Sequence, residues 1–184
     1  MAGLIGRLLK TRRAGHDKLS WNRPDLQAPE TIRLKSTSFD HGAHMPVWTA
    51  GKGVGGNRSP QLQWSGVPAE SKELVLIIED PDVPLKRPIV HLSLAGIPQD
   101  TSTIPEGALN TGTGSFGTGK GSFDRQGYAG PRPVPGHGPH AYVFQLYALG
   151  EAIALDAGAK PEAITNAMAG KVIARGRLDG YYER

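Results

Sequence analysis

The run ELVLIIE at residues 73–79 sets the first constraint on this chain. An uninterrupted apolar run enclosed by glutamates has neither the 3.6-residue period of an amphipathic helix nor a half-buried alternation; it reads as a strand buried on both faces. Its neighbours carry weaker signals of the same kind. Thr31–Ser36 alternates apolar and polar residues, Gln61–Trp64 follows the loop GKGVGGNRSP, and Ile89–Ala95 and Ala141–Leu149 are further β-rich runs. One short helix is written into Pro161, Glu162, Ala163, Ile164, Ala167 and Met168, with Gly170 as its stop and a strand over Lys171–Leu178 to follow. The 25 glycines and 15 prolines exceed a fifth of the 184 residues and show no period, as in a loop-rich globular chain. The pattern predicts an all-β protein with a few short helices, built as a β-sandwich.

The length suits a single domain, read as an N-terminal basic extension over 1–30 and a folded domain over 31–184. There is no cysteine, which excludes disulfides, a thiolate nucleophile and a Cys-ligated metal. The net charge of +4 is the charge of residues 1–13, where Arg7, Lys10, Arg12 and Arg13 meet no acid. The rest of the chain balances, so no basic face is available to track phosphates, and nucleic acid is not expected as a partner. No run approaches a membrane span. In MAGLIGRLLKTRR the charges follow the apolar patch, unlike a signal peptide. Leu4, Ile5, Leu8 and Leu9 form one stripe of a short helix beside Arg7 and Lys10. That stripe is expected to dock on its own domain or a second subunit, with membrane contact at most peripheral through residues 1–13. A cytoplasmic protein is the expectation.

Residues 111–123, TGTGSFGTGKGSF, imitate a nucleotide loop: Gly112-x-Gly114-x-x-Gly117 spells a dinucleotide fingerprint and Gly114-x4-Gly119-Lys120 most of a Walker A motif. Either needs a strand before it and a helix after it, so that helix amides cradle phosphate. Neither flank offers these, and Gly121 stands where a magnesium-ligating Ser or Thr belongs. A turned or flexible connection is the better reading, and no nucleotide cofactor is expected.

The chemistry-bearing residues lie elsewhere. Asp80 and Asp82 close the buried run in DPDVP, either as turn caps or as site carboxylates. His91 follows in PIVHLSL, where strict alternation puts Val90, Leu92 and Leu94 on one face and His91 on the other. His140 and Tyr142 share a strand face after the Pro/Gly-rich segment 127–136. Two acids, two imidazoles and a phenol converging on one pocket would supply donors for an anion. The carboxylates would raise the histidine pKa and could accept from an ammonium or hydroxyl on the same guest. A divalent metal is the competing reading, but no close ligand spacing supports it and no metal site is assigned. A histidine general base would lack a nucleophile to act on.

These motifs resemble the phosphatidylethanolamine-binding protein family, and most closely its bacterial Raf-kinase-inhibitor-like branch. DPDVP at 80–84, the His91 strand ending in GIP at 96–98, GYAGPRPVPGHGPHAYVFQLYAL at 127–149, GNRSPQLQWSGVP at 56–68 and ARGRLDGYYER at 174–184 carry the likeness, collinear over about residues 31–184. The resemblance implies a Greek-key β-sandwich with a small anion pocket formed by Asp80, Asp82, His91, His140 and Tyr142, walled by Tyr128 and Pro133. It also implies non-enzymatic binding of a phosphate or phospholipid head group, without cofactor, in a protein that is often a homodimer. The alternative it carries is a protein-interaction module that inhibits a kinase or serine protease. Leu92, Ala95, Val134 and Ala141 depart from the family pattern, and Arg132 is a candidate anion contact.

Overall fold

The computed structural model describes residues 2–110 and 119–184, so most of the nucleotide-like segment, 111–118, lies outside the described residues. The chain opens with helix α1 (Ala2–Leu9) and then runs through β1 (Arg33–Lys35), β2 (Ala43–His44), β3 (Leu62–Ser65), β4 (Glu73–Asp80), β5 (Ile89–Pro98), β6 (Thr103–Ile104), β7 (His140–Leu149), helix α2 (Pro161–Met168) and β8 (Val172–Tyr182). Two sheets form. The larger has the order β2-β8-β7-β4-β5, and the smaller the order β1-β3-β6. After the β4–β5 hairpin the chain crosses to the small sheet for β6 and returns as β7 beside β4, the Greek-key path of a β-sandwich. Lys120 follows the undescribed segment, and a single 3-10 turn at Ser122–Asp124 stands where a phosphate-binding loop would start an α-helix.

The ELVLIIE run becomes β4, with β5 on one side and β7 on the other. Its side chains alternate between two apolar layers. Leu74, Leu76 and Ile78 join Leu34, Leu62, Trp64 and Ile104 of the small sheet in the inter-sheet core. Val75 and Ile77 join a second layer on the outer face. Both layers are needed because β4 and β7 are apolar on both faces, which an open antiparallel sheet with one wet side cannot accommodate.

The outer layer is closed by residues 19–26 and α2. Leu19, Trp21 and Leu26, held in consecutive 3-10 turns, cover Val75, Ile77, Val143 and Tyr147 together with Ile164 and Met168 of α2. Buried Arg175 fixes this strap. Its guanidinium donates to the Trp21 carbonyl at 2.7 Å, pairs with Glu30 at 2.9 Å and lies 4.0 Å over the Trp21 ring. Burying each of those three apolar side chains is worth roughly 1.5–3 kcal/mol, so the extension is part of the core and not a tail.

Candidate functional site

Asp80, the last residue of β4, continues the inter-sheet face of Ile78, while Glu79 points to the opposite layer. Two adjacent carboxylates therefore serve different sites. Asp80 Oδ2 accepts from His140 Nδ1 at 2.8 Å, and Asp80 Oδ1 accepts the Asp82 amide at 2.8 Å, which closes the turn of DPDVP. His140 comes within reach because β7 pairs with β4, with Glu79 opposite Val143 and His140 three residues before it.

His91 reaches the same spot through a device that alternation alone cannot foresee. Glu79 pairs with Val90 and Ile78 with Leu92, leaving His91 as the extra residue of a β-bulge. The bulge splits the alternation. Leu92 and Leu94 face the inter-sheet core, Val90 packs in the outer layer, and His91 stands against Tyr142 with ring centroids 5.0 Å apart at 76°. The expectation that Val90, Leu92 and Leu94 share a face opposite His91 is thereby corrected.

The structure thus brings Asp80, His91, His140 and Tyr142 together, each no more than 6% exposed. Asp82 is next to them but engaged otherwise: Oδ2 accepts the Ala141 amide at 2.7 Å, and Oδ1 binds the Arg13 guanidinium at 2.7 Å, with His16 at 3.5 Å. Tyr128 is buried with its hydroxyl donated to the Thr49 carbonyl, so it contributes wall and no free donor. Pro133 is buried in the irregular segment leading into β7.

Two polar atoms at the centre have no partner among the described residues: His91 Nε2 and Tyr142 Oη. The Tyr142 hydroxyl is near Asp80 and the Arg132 amide, yet neither is close or aligned enough to bond it. Buried polar atoms are nearly always satisfied, so these two orphans single out the cluster as a candidate ligand contact. His91 Nδ1 faces the Ala129 carbonyl at 2.5 Å, an acceptor, and therefore carries the proton. Burial pushes the His91 imidazole below the usual histidine range, and the attraction of Asp80 opposes this only in part. The expectation that the carboxylates raise it is corrected here: desolvation outweighs them, and Nε2 is a bare acceptor. Burial, reinforced by the Asp80 charge, holds the Tyr142 phenol well above its ordinary range, so it remains a donor.

Sequence reading passed over His137. Its Nδ1 meets His140 Nε2 at 2.7 Å, while its Nε2 faces only carbonyl oxygens, those of Leu9 at 2.8 Å and Arg12 at 3.1 Å. The spacing His137-Gly-Pro-His140 just before a strand was the available signal. Both ring nitrogens of His140 are thus occupied. The row from Leu9 to Asp80 has an acceptor at each end and three hydrogen-bond links between. Arg13 is the second residue missed, because nothing in its basic run distinguishes the one guanidinium that reaches Asp82.

The wall formed by Tyr128, Ala129, Gly130 and Arg132 separates this cluster from a cleft of about 400 Å³. Lys52, Arg125 and Arg132 line that cleft without any carboxylate, an arrangement that draws anions to its mouth. On the opposite face Glu79 is fully bonded. It accepts from the Ser20 amide at 2.8 Å, the Ser20 hydroxyl at 3.1 Å and Gln145 at 2.7 Å. Burial raises its pKa more than these bonds lower it. The folded state therefore holds this proton more tightly than the unfolded chain. Its stabilisation is complete below the ordinary value of 4.5 and is lost as pH rises through the elevated one. Glu79→Gln, which keeps the same contacts once the Ser20 hydroxyl turns to accept, is expected to lose less thermal stability than wild type between about pH 5 and pH 8. Thermal unfolding at several pH values checks this.

A Greek-key sandwich with a buried Asp/His/Tyr cluster beside a basic cleft defines the class. The model of the phosphatidylethanolamine-binding protein family matches residues 35–183, and the chain belongs to that family. A UPF0098 protein of Methanothermobacter thermautotrophicus is 40% identical over 155 residues, covering 83% of this chain and 99% of that protein. The crystal structure of the PEBP homolog CT736 of Chlamydia trachomatis superposes with a TM-score of 0.75 at 32% identity, over 84% of this chain and 99% of CT736. A Mycobacterium tuberculosis relative, 36% identical over 85% of this chain and 74% of its own length, is named "Putative lipoprotein LppC". None of these three relatives is named as an enzyme. The lipoprotein name overturns the expectation of a cytoplasmic protein. That expectation rested on hydropathy, and a covalent lipid anchor needs no apolar span to register there. No helix among the described residues is long and apolar enough to cross a membrane.

Proposed function

We propose that this protein binds, without catalysis, a small phosphate-type anion or zwitterionic head group at Asp80, His91 and Tyr142. The orphaned pair His91 Nε2 and Tyr142 Oη carries the reading. The cleft lined by Lys52, Arg125 and Arg132 supports it by supplying the attraction. The reading without catalysis rests on the make-up of the cluster: Asp80, His91, His140 and Tyr142 include no serine, threonine or cysteine for a histidine base to activate.

The same geometry sets the protonation of the complex. Tyr142 donates to the guest, but His91 Nε2 accepts, so an anion enters with a proton carried either on itself or on His91. A guest that brings its own P–OH or ammonium hydrogen satisfies His91 Nε2 without proton uptake, whereas a guest with acceptors only must bind with that nitrogen protonated. Titrating inorganic phosphate or phosphoethanolamine while following the His91 ring signals by NMR tests this. Millimolar ligand is expected to shift them. Tyr142→Phe is expected to weaken binding by about tenfold, the worth of one charge-assisted hydrogen bond. Unmoved His91 signals at millimolar ligand would sink the proposal.

A further inference from the structure

Helix α1 is seated with its small residues inward. Gly6 is buried against the 135–137 turn, where a Cβ would lie 2.0 Å from the Pro135 carbonyl oxygen, and a Cβ at Gly136 would lie 2.7 Å from the Gly3 carbonyl oxygen. The apolar stripe faces the other way. Leu4, Ile5 and Leu8 are 63%, 59% and 74% exposed. Such a helix pays for its orientation in exposed hydrocarbon, since three large aliphatic side chains together on eight residues exceed the scattered singles of an ordinary surface.

The charges around the stripe single out its partner. Arg7, Lys10 and Arg12 are exposed, none of them is in a salt bridge among the described residues, and no acidic residue precedes Asp17. Arg13 is already bound to Asp82. An aliphatic face bordered by unneutralised cations fits an anionic lipid bilayer, with the side chains entering the interface and the cations meeting phosphate. A second copy of this chain would instead bring the same cations against one another.

We propose that α1 is a membrane-surface helix that docks the folded protein on anionic lipid through Leu4, Ile5 and Leu8. The rigid seat of Gly6 presents this face without unfolding. The helix also ends at the Leu9 and Arg12 carbonyls that hold His137, which fixes its angle to the sandwich.

Co-sedimentation of the full chain with vesicles of phosphatidylcholine alone, or of phosphatidylcholine with about a third phosphatidylglycerol, tests the proposal. Binding to the anionic vesicles is expected to exceed that to neutral ones by roughly tenfold or more, and to weaken as salt is raised. Leu8→Asp, at an exposed position where folding is undisturbed, is expected to abolish it, and Arg7→Glu with Lys10→Glu to reduce it toward the neutral level. Equal partition to both vesicles, or undiminished binding by Leu8→Asp, overturns the proposal. So does a dimer in vesicle-free solution that Leu8→Asp dissociates, since the occupant of the face would then be a second chain.

Discussion

Asp80→Ala is expected to cost about 3–5 kcal/mol of folding stability, because it strands a buried partner with nothing to replace the contact. Asp80 is 2% exposed, and its two oxygens hold His140 Nδ1 and the Asp82 amide. Without the carboxylate, the row running through His140 and His137 to the Leu9 carbonyl has no acceptor at its inner end. Asp80→Asn should behave differently. An asparagine oxygen still accepts the Asp82 amide, and its NH2 donates to His140 Nδ1 in the tautomer that leaves this nitrogen an acceptor. Every link then survives. Urea denaturation of both variants is expected to place Asn well above Ala in stability. Equal losses would mean that the charge of Asp80, and not the hydrogen-bond count, holds the row together.

Gly130→Ala is the second large effect, and it acts on the wall of the site. A Cβ at Gly130 would lie 2.0 Å from the Thr49 carbonyl oxygen and 2.8 Å from the Gly51 nitrogen, both backbone atoms that cannot swing aside. The two segments are tied there by the Gly51 amide to the Pro131 carbonyl at 2.8 Å, the Gly130 amide to Asn57 at 2.8 Å and the Tyr128 hydroxyl to Thr49. Parting them is expected to cost roughly 2–3 kcal/mol, as overpacking does in a dense interior. It also moves Ala129, whose carbonyl positions His91. The variant is therefore expected to lose phosphate-induced shifts at His91 while the β4–β7 core remains folded, a pairing that thermal unfolding and NMR titration together can read. Wild-type stability would show that the segments separate freely.

The strands were legible because their signal is local. ELVLIIE became β4, the runs at 61–64, 89–95 and 141–149 became β3, β5 and β7, and Pro161 opened α2 where expected. The two-residue strands β2 and β6 had no such signal, since a bridge that short is defined by its partner. Asp80, His91, His140 and Tyr142 were singled out as residue types near strand ends, and the family likeness named them as a group. Their actual relations followed from contacts between distant segments. His91 turns toward Tyr142 because of a bulge, which alternation in a single strand does not encode. Asp82 is taken by Arg13, sixty-nine positions earlier in the chain by simple subtraction of the two numbers.

By itself the sequence determined the kind of protein this is: the periods of its apolar residues demand a two-layered β core, and its motifs place the chain in one family. Tertiary structure alone decided that Leu19, Trp21 and Leu26 are woven into that core, that Glu79 and Asp80 serve opposite faces, and that burial disfavours the charged form of His91. The physical reason is common to all three. Periodicity is a property of neighbours along the chain, whereas burial and hydrogen-bond partnership belong to whichever segments the fold brings together.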